Sequence, residues 1–220
     1  MYTLSYTQEY FLCALNNKGR FSGLTESPRI CLFIGGLIEL LGEGYLAIEA
    51  PKKRKATSKV SVAKPWDNRI PYLQPVYEAC ARSKKPKNVS DIVLGSSTKQ
   101  QSQLVSLIGE SLVRAGAVDV VVKEGLLRDK TSYLPKEGVV DRIVEKIRAE
   151  ILEDGLISDD IIYLIGLMDA GGLIENYFSK YERKRLKARL QELRDNEAYQ
   201  MTKEVMEMMA ALIIVITVAS

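Results

Sequence analysis

The chain has no histidine in 220 residues, and only three cysteines and one tryptophan. Without histidine there is no Ser/His or Cys/His nucleophile pair, no imidazole ligand for zinc, and no general base with an ordinary pKa near neutrality. Cys13, Cys31 and Cys80 are odd in number and widely spaced. They cannot supply a four-thiolate metal site and do not suggest a disulfide framework. Cys13 and Cys31 sit in apolar, helix-patterned stretches and read as small buried hydrophobes in a reducing compartment. The N-terminal MYTLSYTQEY lacks the basic-then-apolar order of a secretory signal. The one long apolar run, Met208 to Ala219, has 12 residues, against the ~20 needed to cross a bilayer. GSSTK at Gly95 to Lys99 lacks the earlier glycine of a phosphate loop, and no dinucleotide fingerprint is present. No cofactor and no metal site are expected. Carboxylate chemistry stays open on composition alone, with Asp169 and Glu175 as an example of two acids near one another.

What remains is an ordinary globular composition, 46% hydrophobic and 27% charged, of a length suited to one domain spanning residues 1–220. Helical spacing dominates. Ser5 with Gln8 fits a capping box opening a helix through Leu15. Apolar residues surround the axis from Pro28 to Leu41, and Gly42 and Gly44 suit its C-terminal cap. Further helical patterns cover Tyr72 to Ser83, a short segment capped by Ser90, Ser97 to Ala115, Val139 to Leu152, and Asp159 to Met168. Gly171 and Gly172 break the last of these before Leu173 to Phe178. The all-round apolar Met208 to Ala219 reads as a buried last helix. Two stretches alternate with period two: Leu46 to Ala50 with Val60 and Val62, and Val118 to Val122 with Thr131 to Leu134. The expected fold is mainly α: a single helical domain around a buried central C-terminal helix, with two short β-hairpins. A helix followed by a hairpin also matches the end of a winged helix-turn-helix. The helix concerned carries only Lys99 and Arg114 as cations, with Glu110 between them, which gives slight phosphate attraction.

The first hairpin concentrates charge. From Glu49 to Lys64 there are six cations and one carboxylate, a balance of +5, against +3 for the whole chain. Lys52, Lys53, Arg54 and Lys55 occupy the loop, and Lys59 and Lys64 the returning strand. This run admits three readings: a solvated loop, a surface for anionic lipid or an acidic partner, and a nucleic-acid contact. Only Trp66 and Tyr72 lie nearby as aromatic platforms for bases. A second cationic stretch, Tyr181 to Leu193, holds Arg183, Lys184, Arg185, Lys187 and Arg189 and reads as a solvated helix face.

Four blocks, taken in order, resemble the Golgi phosphoprotein 3 family. They are YFLCALNNKGRF; GLIELLGEGYLAIEA followed by KKRKATSKVSVAK; SLIGESLVRAGAV with VVDRIVEKIRAEIL after a hairpin; and LIGLMDAGGLIENYF. The resemblance spans nearly the whole chain. It implies a helical domain, no enzymatic activity, and peripheral attachment to the cytosolic membrane face of a cytoplasmic protein. Family members bind phosphatidylinositol 4-phosphate and cytosolic tails of membrane proteins. Their self-association hairpin corresponds here to Val118 to Leu134, with Val120, Val121, Val122, Leu126 and Leu127 as the contact residues and a homo-oligomer as the product. The family's headgroup residues, a Trp and several basic side chains, align here with Leu24, Phe33, Ser102 and Val105, none of which pairs with a phosphate as Arg does. The fold therefore carries over and that headgroup site does not. The expected function is a non-enzymatic adaptor binding anionic membrane lipid through Lys52, Lys53, Arg54, Lys55 and Lys59, without nucleic acid. The alternative is a soluble self-associating scaffold with no lipid headgroup site.

Overall fold

The computed structural model describes residues 3–21, 27–49, 59–83, 85–124, 130–152 and 157–194. The mainly helical fold is present. Helix α1 (Tyr6–Ala14) opens on the expected capping box: the Ser5 hydroxyl accepts from the Gln8 amide, and the Gln8 side chain accepts from the Ser5 amide. Helix α2 (Ser27–Gly42) runs through the interior. Leu32, Phe33, Leu37 and Leu40 on it are fully buried. Gly44, in the left-handed conformation at φ +70°, turns the chain into strand β1 (Leu46–Glu49).

Strand β1 pairs antiparallel with β2 (Lys59–Val62), with Leu46 opposite Val62 and Glu49 opposite Lys59. A third strand, β3 (Lys87–Asn88), pairs on the other side of β2. The polar stretch around Lys87 thus enters the sheet as a two-residue edge strand. Two polar residues carry no alternation from which a strand is readable.

Pro71–Leu73 forms a 3-10 turn leading into α3 (Gln74–Ala81). Pro75 sits in the first turn of α3, where its missing N–H costs nothing. The short α4 (Val89–Leu94) begins one residue before the expected cap, and Asn88 rather than Ser90 occupies the N-cap. Helix α5 (Thr98–Arg114) is capped by Ser97 and Gln100 in a second capping box. The second hairpin, β4 (Val118–Lys123) and β5 (Lys130–Pro135), follows, with Val120 opposite Tyr133 and Val122 opposite Thr131.

Three helices complete the inner layer: α6 (Val139–Leu152), α7 (Asp159–Ala170) and α8 (Ile174–Tyr177). Helix α9 (Lys180–Arg194) lies outside them, packed on α6 and α8. Among the described residues the centre of the domain is α2 with α7, whose Ile161, Leu164, Ile165, Leu167 and Met168 are fully buried, flanked by α1. The expected central helix, Met208 to Ala219, lies outside the described residues. Cys13, Cys31 and Cys80 are free and buried. No helix among the described residues is long and apolar enough to cross a membrane.

Candidate functional site

The turn after α1 builds one wall of a groove. The Asn16 side-chain oxygen accepts from the amides of Lys18 and Arg20, at 2.9 and 3.2 Å, folding residues 16–20 tightly. Leu15 then bridges Phe21. Gly19 stands at φ +67°, and a Cβ there would come within 2.6 Å of the Tyr133 carbonyl oxygen. Its bare backbone lets the turn dock on β5, with the Tyr133 amide donating to the Gly19 carbonyl at 3.0 Å. The Arg20 guanidinium reaches β5 as well, donating to the Ser132 hydroxyl at 3.1 Å.

The floor comes from α5. The Tyr133 ring lies directly on Gly109, where any side chain would overlap it. Its hydroxyl donates to the Ser106 carbonyl at 3.3 Å. Phe11 meets Phe21 edge-on at 5.3 Å and Tyr133 at 6.0 Å. The resulting groove has a volume of about 370 Å³. Phe11, Phe21 and Tyr133 form its apolar surface, and Arg20, Arg29 and Lys130 supply three cations with no carboxylate in the lining. None of these three cations forms an ion pair among the described residues. Such a site favours an anion that carries an uncharged body, because the cations hold the charge while the aromatic rings cover apolar surface. Residues directly opposite in an antiparallel pair share a face. Val120 and Val122, opposite Tyr133 and Thr131, therefore extend the same face of the hairpin outward. They are 44% and 58% exposed, so an apolar rim adjoins the cationic groove.

The family model of Golgi phosphoprotein 3 (GPP34) matches residues 7–212. The chain belongs to the Golgi phosphoprotein 3 family. No curated protein matches it. Of the positions aligned with the family's headgroup residues, Val105 lines the groove. Phe33 is buried in the core and Ser102 is exposed, while Leu24 lies outside the described residues. The groove's charge comes instead from Arg20, Arg29 and Lys130, which sequence reasoning did not single out. Arg20 stood in the quoted block YFLCALNNKGRF, but nothing local tied it to Lys130.

The basic hairpin is only partly placed. Lys52, Lys53, Arg54 and Lys55 lie outside the described residues. Lys59 is exposed, opposite Glu49. Lys64 is not a free surface charge: its ammonium sits 3.8 Å above the Tyr45 ring and donates to the Glu43 carbonyl at 2.8 Å. Trp66 packs against Tyr45 and Tyr77, with ring centres 5.2 and 5.0 Å apart. Tyr72 donates to the buried Glu39 carboxylate. Neither aromatic is therefore an open platform for stacking bases. Of the self-association residues, Val120 and Val122 are exposed and Val121 is half-buried; Leu126 and Leu127 lie outside the described residues.

Among the described residues, the acids do not converge on a reactive pair. Asp169 and Glu175 are both at the surface, and Glu175 is bound to Arg183. Among the described residues, the buried carboxyls are Glu9 and Glu39, separate in role. Glu9 on α1 meets the Lys146 ammonium of α6 at 3.1 Å, and burial still holds its pKa above the ordinary value. Glu39 on α2 is raised by burial too, opposed by the hydrogen bond that Tyr72 donates to it. Among the described residues, no cluster of three or more Cys, Asp or Glu could hold a metal ion.

Proposed function

We propose that this member of the Golgi phosphoprotein 3 family is a non-enzymatic peripheral membrane adaptor that binds anionic lipid. The observation that carries the reading is the groove: three cations with no ion pair among the described residues beside an aromatic surface, with two exposed valines adjoining. A lipid phosphate meets Arg20, Arg29 and Lys130, and the Val120–Val122 face rests against the apolar part of the bilayer. Lys52, Lys53, Arg54, Lys55 and Lys59 add long-range attraction at ~1 kcal/mol per cation near the surface. Family membership supports an adaptor role, in which cytosolic tails of membrane proteins are partners.

Vesicle sedimentation tests this. The protein is expected to pellet with phosphatidylserine or phosphoinositide vesicles and not with phosphatidylcholine, and salt should weaken the binding. Arg29→Ala with Lys130→Ala should reduce binding more than neutralising Lys52 to Lys55 does. Equal loss from both sets would refute the groove as the main contact, and no sedimentation at all would refute the membrane role. A second reading rests on Val120 and Val122 alone: two exposed valines on a two-stranded ribbon suit pairing with a second copy. Light scattering separates the two readings, since a scaffold self-associates with no vesicle present.

A further inference from the structure

The outer face of α9 belongs to neither site above. Its inner side is committed: Leu186 is buried, Glu182 binds Arg148 of α6 at 2.8 Å, and Arg183 binds Glu175 of α8. Its outer side carries Lys180, Lys184, Arg185 and Lys187, all exposed and none in an ion pair among the described residues. Lys180, Lys184 and Lys187 stand at i, i+4 and i+7, so they form one row along the helix, about 10 Å long. Tyr181, 69% exposed, and Ala188 stand at i and i+7 and form an uncharged ridge beside that row. Arg185 lies on the ridge's far side. Cations flanking a short uncharged ridge at helical spacing make the complement of an amphipathic helix with acidic flanks.

We propose that this face of α9 docks an acidic helical segment of a partner protein. The proposal rests on the adaptor reading in one respect: it assigns the protein-partner contact to a surface other than the lipid groove. Charge complementarity selects the partner. Three lysines in one narrow row match carboxylates repeating at the same spacing on a single helix. One aromatic side chain beside the row gives the partner an anchor of the kind that carries interface affinity. A bilayer would meet the row with no apolar element except that one ring, short of the second signal that stable attachment requires.

The test uses a fluorescein-labelled helical peptide with Glu at i, i+4 and i+7 and a Leu beside them, followed by anisotropy. The full chain should bind it in a salt-sensitive manner. Lys180→Glu with Lys184→Glu and Lys187→Glu should weaken binding at least about tenfold, and the Gln counterparts should weaken it less. Circular dichroism and the urea midpoint check that each variant is folded. Tyr181→Ala should also weaken the peptide while leaving vesicle sedimentation intact. Unchanged peptide binding in the Glu variant would overturn the proposal. So would tighter binding of a single-stranded oligonucleotide than of the peptide, or loss of vesicle sedimentation in the Glu variant. Arg29→Ala with Lys130→Ala should lose vesicles and keep the peptide. A wild-type chain that binds the peptide and ignores vesicles upholds the α9 surface and refutes the membrane reading alone.

Discussion

Gly109→Ala should change the sign of its effect when Tyr133 is removed. In the native chain, the added methyl would overlap the Tyr133 ring that packs on α5. The ring must then move, giving up its 3.3 Å hydrogen bond to the Ser106 carbonyl. Overpacking of this kind costs about 1–3 kcal/mol, and the lost hydrogen bond about 1 kcal/mol more. Against this, Ala in place of Gly within a helix contributes about 1 kcal/mol. The net expectation is a destabilisation of about 1–3 kcal/mol. In a Tyr133→Ala background the ring is absent, and only the helix preference remains. Gly109→Ala should then stabilise by up to about 1 kcal/mol, so the two sites couple by about 2–4 kcal/mol. Equilibrium urea unfolding of the four proteins, followed by circular dichroism and by the fluorescence of the single tryptophan, Trp66, measures the cycle. The same sign in both backgrounds would refute the packing argument. With it would go the account of how α5 and β5 together form the groove.

Glu39→Gln should stabilise the protein at neutral pH, because burial raises the Glu39 pKa and its second carboxylate oxygen has no hydrogen-bond partner. A raised folded pKa means that stability is lost as pH rises from the ordinary value of 4.5 through the folded one, and the variant's pH profile should be flatter over that window. Lys146→Ala should cost about 2 kcal/mol. That is less than a fully buried pair because Lys146 is 41% exposed. The loss should shrink at low pH, where Glu9 takes up a proton, and pH-dependent urea midpoints check both carboxyls. Burial pushes the thiols of Cys13 and Cys80 up to about 12 and that of Cys31 to about 11. All three should therefore resist a disulfide reagent at pH 8 in the folded state and react once the chain is unfolded in urea. Rapid labelling of the native protein would contradict their placement.

The sequence by itself determined what is local. The capping boxes at Ser5–Gln8 and Ser97–Gln100 and the left-handed Gly44 are set by neighbours within a turn or two. Period-two stretches likewise marked both strands of the second hairpin, and helical spacing placed most of the helices and their buried faces. Of the two capping boxes only Ser5–Gln8 stands out along the chain, since Gln100 lies in a polar run that hides its role. The tertiary structure decided whatever joins distant segments. Glu9 is buried because Lys146 reaches it from a helix 137 residues away. Lys64 is spent on Tyr45 and Glu43 rather than on a ligand. The groove gathers residues from the turn after α1, the start of α2, the middle of α5 and β5. Arg20, Arg29 and Lys130 look like ordinary surface charges along the chain. They become a site only because Gly19 and Gly109 let the turn and the helix close onto Tyr133, a contact between chain segments that no local periodicity encodes.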